Sequence, residues 1–290
     1  MTFYQIQNKL IEKYISVFYF CFAFLVIQFG FPQILKIAEH STFFDIGLAF
    51  EFLKNVPAKP IALFATSALS VLLLLNGQFI QKRWYRVSIF LLTLCFESFY
   101  NSNGLKTNLF VFWFWSIFAL ALLPTTSLKT EIKKFYYYSW SIWLQQSIVL
   151  TLYFLSGFWK FTGMVSQEIL NQDSILSNKG LTYHLASEII RTQNYPILRN
   201  LILAETALNP LMMVSVLLFQ LSSVYFIFKP KHIKLYGLMS LAFHFGSYFA
   251  LSISYPTNLV LGICLFLNDP FINKAGTNFN SVKSFFRRSP

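Results

Sequence analysis

Charge is scarce in this chain. Asp, Glu, Lys and Arg make up 12% of its 290 residues, about half the share of an ordinary soluble domain, and that shortage excludes a water-facing surface around a conventional core. Acidic residues are scarcer still, 11 against 23 basic ones, which leaves a net charge of +12. The excess does not point to nucleic acid, because the basic residues sit in short clusters between apolar runs, as they do in loops sorted by the positive-inside rule. Cysteine is nearly absent: Cys21, Cys95 and Cys264 each lie in a different apolar segment and form no CxxC pair, so neither a disulfide framework nor a zinc site is indicated. Histidine occurs four times, without an HxxxH or HExxH pairing, and His184 with Glu188 supplies only two ligands; no metal is expected. There is no glycine-rich phosphate loop and no internal repeat.

What is present is apolar bulk, 56% hydrophobic and 19% aromatic. Eight apolar stretches can be marked, at 15–35, 60–79, 87–100, 108–123, 139–161, 201–228, 235–254 and 257–268, against the roughly 20 residues a helix needs to cross a hydrocarbon core. The third and eighth are short enough to be tilted, buried or re-entrant. The expectation is an all-α polytopic membrane bundle of about eight spans, seven to nine, forming one domain over residues 1–270, with a disordered basic cytoplasmic tail at 271–290. The first stretch follows Lys9 and Lys13 as a signal peptide would, but it is too long and has no small-residue cleavage site, so it reads as a retained span. With the N-terminus in the cytoplasm, 15 of the 23 basic residues fall in inner loops or at the two ends, which predicts cytoplasmic termini.

Two outer segments exceed mere connectors. Lys36 to Lys59 carries Phe43, Phe44, Leu48, Phe52 and Leu53 among Asp45, Glu51 and Lys54; Thr162 to Asn200 mixes Leu181, Leu185, Ile189 and Ile190 with His184, Glu188 and Arg191. Both patterns predict amphipathic helices in the extracytoplasmic interface, together able to cover the outer ends of the spans.

Polar side chains at membrane depth are costly, so their positions are informative. In Ser139 to Phe161, Gln146, Tyr153, Gly157 and Lys160 recur at spacings of seven, four and three and share one helical face. Lys160 closes that stretch. It either snorkels to the headgroups or faces other helices, where a desolvated amine could serve as a base; Gly157 favours the second reading by letting a neighbouring helix approach. Glu97, with Asn101 one turn on, and Glu205, followed by Asn209 and a kink at Pro210, are placed in the outer leaflet with Lys160. These charges make either one structural ion pair or a polar pocket open to the outer side. Ser240, His244, Ser247, Tyr248 and Ser252 form a stripe on the seventh stretch, ahead of the break Tyr255-Pro256-Thr257-Asn258. His244 is either an interhelical hydrogen-bond donor or part of that pocket.

YFLSGFWKF (Tyr153 to Phe161), AETALNP (Ala204 to Pro210) and LAFHFGSYFALSISYPTN (Leu241 to Asn258), in that order, resemble the horizontally transferred transmembrane (HTTM) family, the membrane half of vitamin K-dependent gamma-carboxylases. The resemblance implies that Lys160 is the base deprotonating a reduced, vitamin K-like quinone, that His244 is the histidine of the Phe-His helix, and that Glu205 is the later acid. It also implies oxygenation of the quinone to a strong base that removes a proton from a peptide glutamate before carbon dioxide adds. Tyr153, Gly157 and Tyr248 would line the cofactor site, and Glu97 is a further candidate. The chain departs from the carboxylases in having no histidine at Tyr100-Asn101-Ser102-Asn103-Gly104, where they carry Asn-x-His, and their lumenal β-rich region is expected to be missing. Some stand-alone relatives resemble proteins needed for the maturation of secreted bacterial peptide toxins. The expected partners are therefore the lipid bilayer and a quinone-like lipid or a secreted peptide, and the expected location is the bacterial cytoplasmic membrane. A non-enzymatic accessory protein is the alternative, and a transporter ranks third.

Overall fold

The computed structural model describes residues 2–37, 58–102, 110–123, 130–169, 176–253, 255–268 and 270. The described residues are helical, with no strand among them. Among these described residues, three helices are long and apolar enough to cross a membrane, within Phe3–Leu35, Glu131–Gln167 and Leu208–Phe228, and three shorter apolar helices lie at Lys59–Leu74, Val111–Ala121 and Pro256–Leu267. Most of the first outer segment and the basic tail lie outside the described residues.

The chain divides into two compact units, residues 1–146 with 268–290, and residues 147–267. In the first, α1 (Phe3–Leu25) runs through a π-helical turn (Val26–Gly30) into α2 (Phe31–Ile37), followed by α3 (Ala58–Leu74), α4 (Asn76–Phe79), α5 (Arg83–Ser102) and α6 (Val111–Ala121). A capping box starts α1, with Thr2 accepting from the Gln5 amide and the Gln5 side chain accepting in return. Along one face of α1, Ile11, Phe18 and Phe22 are fully buried, and the Phe22 ring stacks on Trp113 at 5.1 Å with 14° between planes. The Glu12 carboxylate accepts from Lys134 at 2.7 Å, Gln81 at 2.9 Å and Tyr138 at 3.3 Å.

Arg86 is a basic residue packed inside protein. It lies in the first turn of α5, 1% exposed, and donates to the carbonyls of Ile80 at 2.8 Å and Leu123 at 2.5 Å. Those carbonyls end α4 and α6, where helix dipoles leave partial negative charge. A buried guanidinium is thus held by two helix ends.

α7 (Glu131–Ile169) begins in the first unit and continues into the second. Its 39 residues make about 58 Å at 1.5 Å each, about twice the hydrocarbon thickness. The expected end at Phe161 is corrected: Thr162 to Ile169 contains no proline and the helix continues. Then come α8 (Gly180–Thr192), α9 (Arg199–Leu203), α10 (Leu208–Phe228), α11 (Ile233–Leu251) and α12 (Pro256–Gly262), the last continued by a π-helical turn (Ile263–Leu267). The expected stretch 201–228 is interrupted, because Ala204 to Ala207 turn and α10 starts at Leu208. Pro210 therefore sits in the first turn of α10, where a proline is tolerated.

The core of the second unit joins Leu181 and Leu185 of α8 to Ile202, Met213 and Ala250. Asn209 ties that corner, its amide donating to the carbonyls of Asn178 at 2.7 Å and Ile202 at 2.9 Å. The amphipathic segment that contains α8 thus buries two of its four expected apolar residues in protein, whereas Ile190 is 80% exposed.

Candidate functional site

Two helices of the second unit, α7 and α11, meet at a buried polar pair. Tyr153 Oη lies 2.9 Å from His244 Nε2, and the two residues are 5% and 6% exposed. Rings enclose the pair: Tyr153 packs edge-on to Phe219 at 5.6 Å and Tyr236 at 6.0 Å, Phe243 lies 5.1 Å from the imidazole, and Tyr255 lies 6.2 Å from it. This shell leaves the imidazole few polar neighbours. His244 Nδ1 is buried and has no hydrogen-bond partner among the described residues, and the same holds for Asn258 Oδ1. Such atoms are uncommon in folded chains and mark places where a water or ligand group belongs.

Gly157 sets how closely α7 meets α10. A Cβ added there would lie 2.7 Å from Gln220 Cβ and 3.2 Å from the Leu221 backbone nitrogen, so only glycine allows the approach. That closeness brings Lys160 Nζ to 2.9 Å from Gln220 Oε1, and Ser223 Oγ to 2.8 Å from the Leu150 carbonyl. Lys160 is half-buried. Tyr153 lies seven residues earlier on the same face, about 10 Å along the axis.

The other expected site residues are placed differently. Glu205 is half-buried in the turn between α9 and α10, with φ of 49°, not inside a span, and no ion pair joins it to Lys160. Tyr248 is one turn beyond His244 but 50% exposed. Glu97 is buried in the first unit, on α5. Ser240 is buried one turn before His244, and Ser252 ends α11 in a left-handed conformation, φ 56°. His184 on α8 stands near Lys160, and its imidazole is held below the ordinary histidine value by desolvation first and by the lysine charge second. Among the described residues, no three His, Cys, Asp or Glu side chains are placed to share a metal ion.

Three participants escape a reading by pattern. Gln220 had a usable signal, a lone amide in the run VLLFQL at membrane depth. Tyr236 and Tyr255 had none, since an aromatic among aromatics reads as core.

The arrangement can hold a proton between a phenol and an imidazole in a dry, ring-lined setting, and it offers a second, unused imidazole nitrogen to whatever binds beside it. No family model, no curated protein and no solved structure matches the chain.

Proposed function

We propose that the chain is an HTTM-type integral membrane protein, similar to the membrane half of vitamin K-dependent gamma-carboxylases, whose ring-lined polar centre binds a quinone-like lipid. The single observation behind this reading is the buried Tyr153–His244 hydrogen bond of 2.9 Å with His244 Nδ1 left open. A flat ring bearing oxygens suits such a centre: the aromatic faces would stack on it and the open nitrogen would take one oxygen. In this reading Tyr153, Gly157 and Tyr248 shape the site, while Lys160, His244 and Glu205 act on the bound group or on a peptide brought to it, and Glu97 remains a further candidate. When bound, a reduced quinone supplies the capacity to generate a strong base. The protein itself supplies orientation, exclusion of water, and a proton held at Tyr153 Oη or His244. The proposal includes about eight spans, interfacial helices on the extracytoplasmic side, cytoplasmic termini and residence in a bacterial cytoplasmic membrane.

Titration of the full chain in nanodiscs with menadiol tests it. Saturable binding is expected, weakened about tenfold or more by His244→Ala and by Tyr153→Phe, since about 1.4 kcal/mol of lost hydrogen bonding corresponds to a factor of ten. Absence of saturable binding, or an unchanged affinity in both variants, would remove the quinone reading.

One observation favours a non-enzymatic second reading, an accessory protein that holds a secreted peptide. Lys160 is tied to Gln220 across the contact that Gly157 permits, which suits a strut between helices. The two readings separate at Lys160→Arg. A strut keeps its charge and reach and the variant works; a base that must lose its proton does not survive the change.

A further inference from the structure

One end of the first unit gathers basic side chains from two parts of the chain. Glu12 on α1 accepts from the Gln81 amide at 2.9 Å. Asn76, which opens α4, donates to the Ser16 carbonyl at 3.3 Å, and its side-chain oxygen accepts from the Ser16 hydroxyl. These bonds hold α1 against the segment from α4 to the start of α5. Lys9 and Lys13 of α1 are thereby brought to the same corner as Lys82 and Arg83, which follow Gln81 directly. All four are exposed, and among the described residues no ion pair joins any of them to an acid. The carboxylate of Glu12 is taken by Lys134 at 2.7 Å.

Both placements work against the bare protein. Lys9 and Lys13 are four residues apart on one helix, where like charges repel. Arg83 opens α5, whose first turn holds no acid, and cations at a helix N-terminus oppose its dipole. One anion at this corner would relieve both. The exposed face of α1 then continues from the corner as hydrocarbon. Leu10, Lys13, Val17, Phe20 and Phe24 follow one another at spacings of three and four, so they share a face, and its four apolar members are 36% to 59% exposed. Trp84, 57% exposed beside Arg83, is an aromatic of the kind found at headgroup depth.

We infer that this corner binds an anionic phospholipid, its phosphodiester held by Lys9, Lys13, Lys82 and Arg83 and an acyl chain laid along Val17, Phe20 and Phe24. Arg83 supplies a planar fork suited to two phosphate oxygens, and the lysines supply point charges. Basic groups at a membrane surface attract anionic headgroups in this way. The apolar face leading away from Lys13 selects a lipid over a soluble phosphate, because a free ion has nothing to lay along it. The site lies in the first unit and shares no residue with the Tyr153–His244 centre, so it stands whether or not menadiol binds.

The test is native mass spectrometry of the full chain in dodecyl maltoside, with phosphatidylglycerol and phosphatidylcholine at equal concentration. The wild type should retain phosphatidylglycerol in preference. A combined variant carrying Lys9→Gln, Lys13→Gln, Lys82→Gln and Arg83→Gln should lose that preference by about tenfold or more. Lys229→Gln, Lys231→Gln and Lys234→Gln, made together in the second unit, should keep it. Excess sn-glycerol 3-phosphate should not displace the lipid. Equal retention of the two lipids by the wild type overturns the inference, as does an unchanged preference in the combined variant. An equal loss in the second-unit variant also overturns it, since the attraction would then be one of net charge; displacement by glycerol phosphate overturns the assignment to lipid. If the combined variant does not fold, the pair Lys13→Gln and Arg83→Gln decides by the same ratio.

Discussion

The Lys160 charge bears on His184, and that influence can be measured at the level of single residues. Desolvation first, and the Lys160 ammonium second, hold the His184 imidazole below its ordinary value, so Lys160→Met should raise it, with the shift read by histidine proton resonances against pH. The sign for stability follows from proton binding. The unfolded chain takes up a proton near pH 6.5, whereas the folded chain does so only at lower pH, so His184 costs nothing above that value and opposes folding as pH falls through it. Lys160→Met should lessen that acid-side loss; an unchanged melting curve between pH 7 and 5 would show that the coupling is negligible. Arg86 is the second residue with a sharp expectation. Its guanidinium serves two helix-end carbonyls from a buried position, and a charge-assisted bond is worth about 1.5–3 kcal/mol. Arg86→Met should lower thermal stability by at least one such bond. Arg86→Lys should recover only part, because a single ammonium lacks the fork that reaches both oxygens.

Between elements, the decisive contact is α7 against α10. The approach depends on Gly157, where a methyl group would collide with Gln220 Cβ at 2.7 Å and press on backbone at 3.2 Å. Gly157→Ala should therefore destabilise the second unit by about 1–3 kcal/mol, the usual cost of overpacking. Gly163, on the same helix, has nothing within 4 Å of an added Cβ, and Gly163→Ala should be neutral or should stabilise by about 0.5–1 kcal/mol through helix propensity. The pair forms an internal control, read by unfolding in one detergent. Equal effects at both positions would mean that the α7–α10 contact does not limit stability. The same contact places the Lys160–Gln220 bond, so Gly157→Ala should also weaken the influence of Lys160 on His184.

At the scale of the molecule, three helices among the described residues are long and apolar enough to cross a bilayer, and shorter apolar helices accompany them. An eight-span topology with both ends inside makes a definite forecast for cysteine labelling in intact cells, after replacement of Cys21, Cys95 and Cys264. Single cysteines at Lys13, Lys133 and Lys231 should react only after the membrane is opened, and those at Asn178 and Thr206 should react from outside. Labelling of Lys133 from outside would require a different number of crossings before α7. Exposed side chains such as Trp159 at 80% and Leu218 at 63% need no partner protein in this arrangement, because the hydrocarbon layer is their solvent.

Composition and periodicity alone determined that the chain is helical and suited to a membrane, and they placed Gln146, Tyr153, Gly157 and Lys160 on one face. Those properties are local: a 3.6-residue repeat and a run of apolar side chains carry them without reference to the rest of the chain. What Lys160 and His244 touch was decided only by tertiary structure, since Gln220 is 60 residues from the lysine and Tyr153 is 91 from the histidine. Helix pattern fixes direction but not neighbour, and in a bilayer, apolar surface does not select which helices meet; close packing at small residues and hydrogen bonds do. The turn at Ala204 to Ala207 that holds Glu205 ahead of α10 depends on such contacts, with Asn209 bonded to the Asn178 and Ile202 carbonyls, and so lay beyond the reach of spacing.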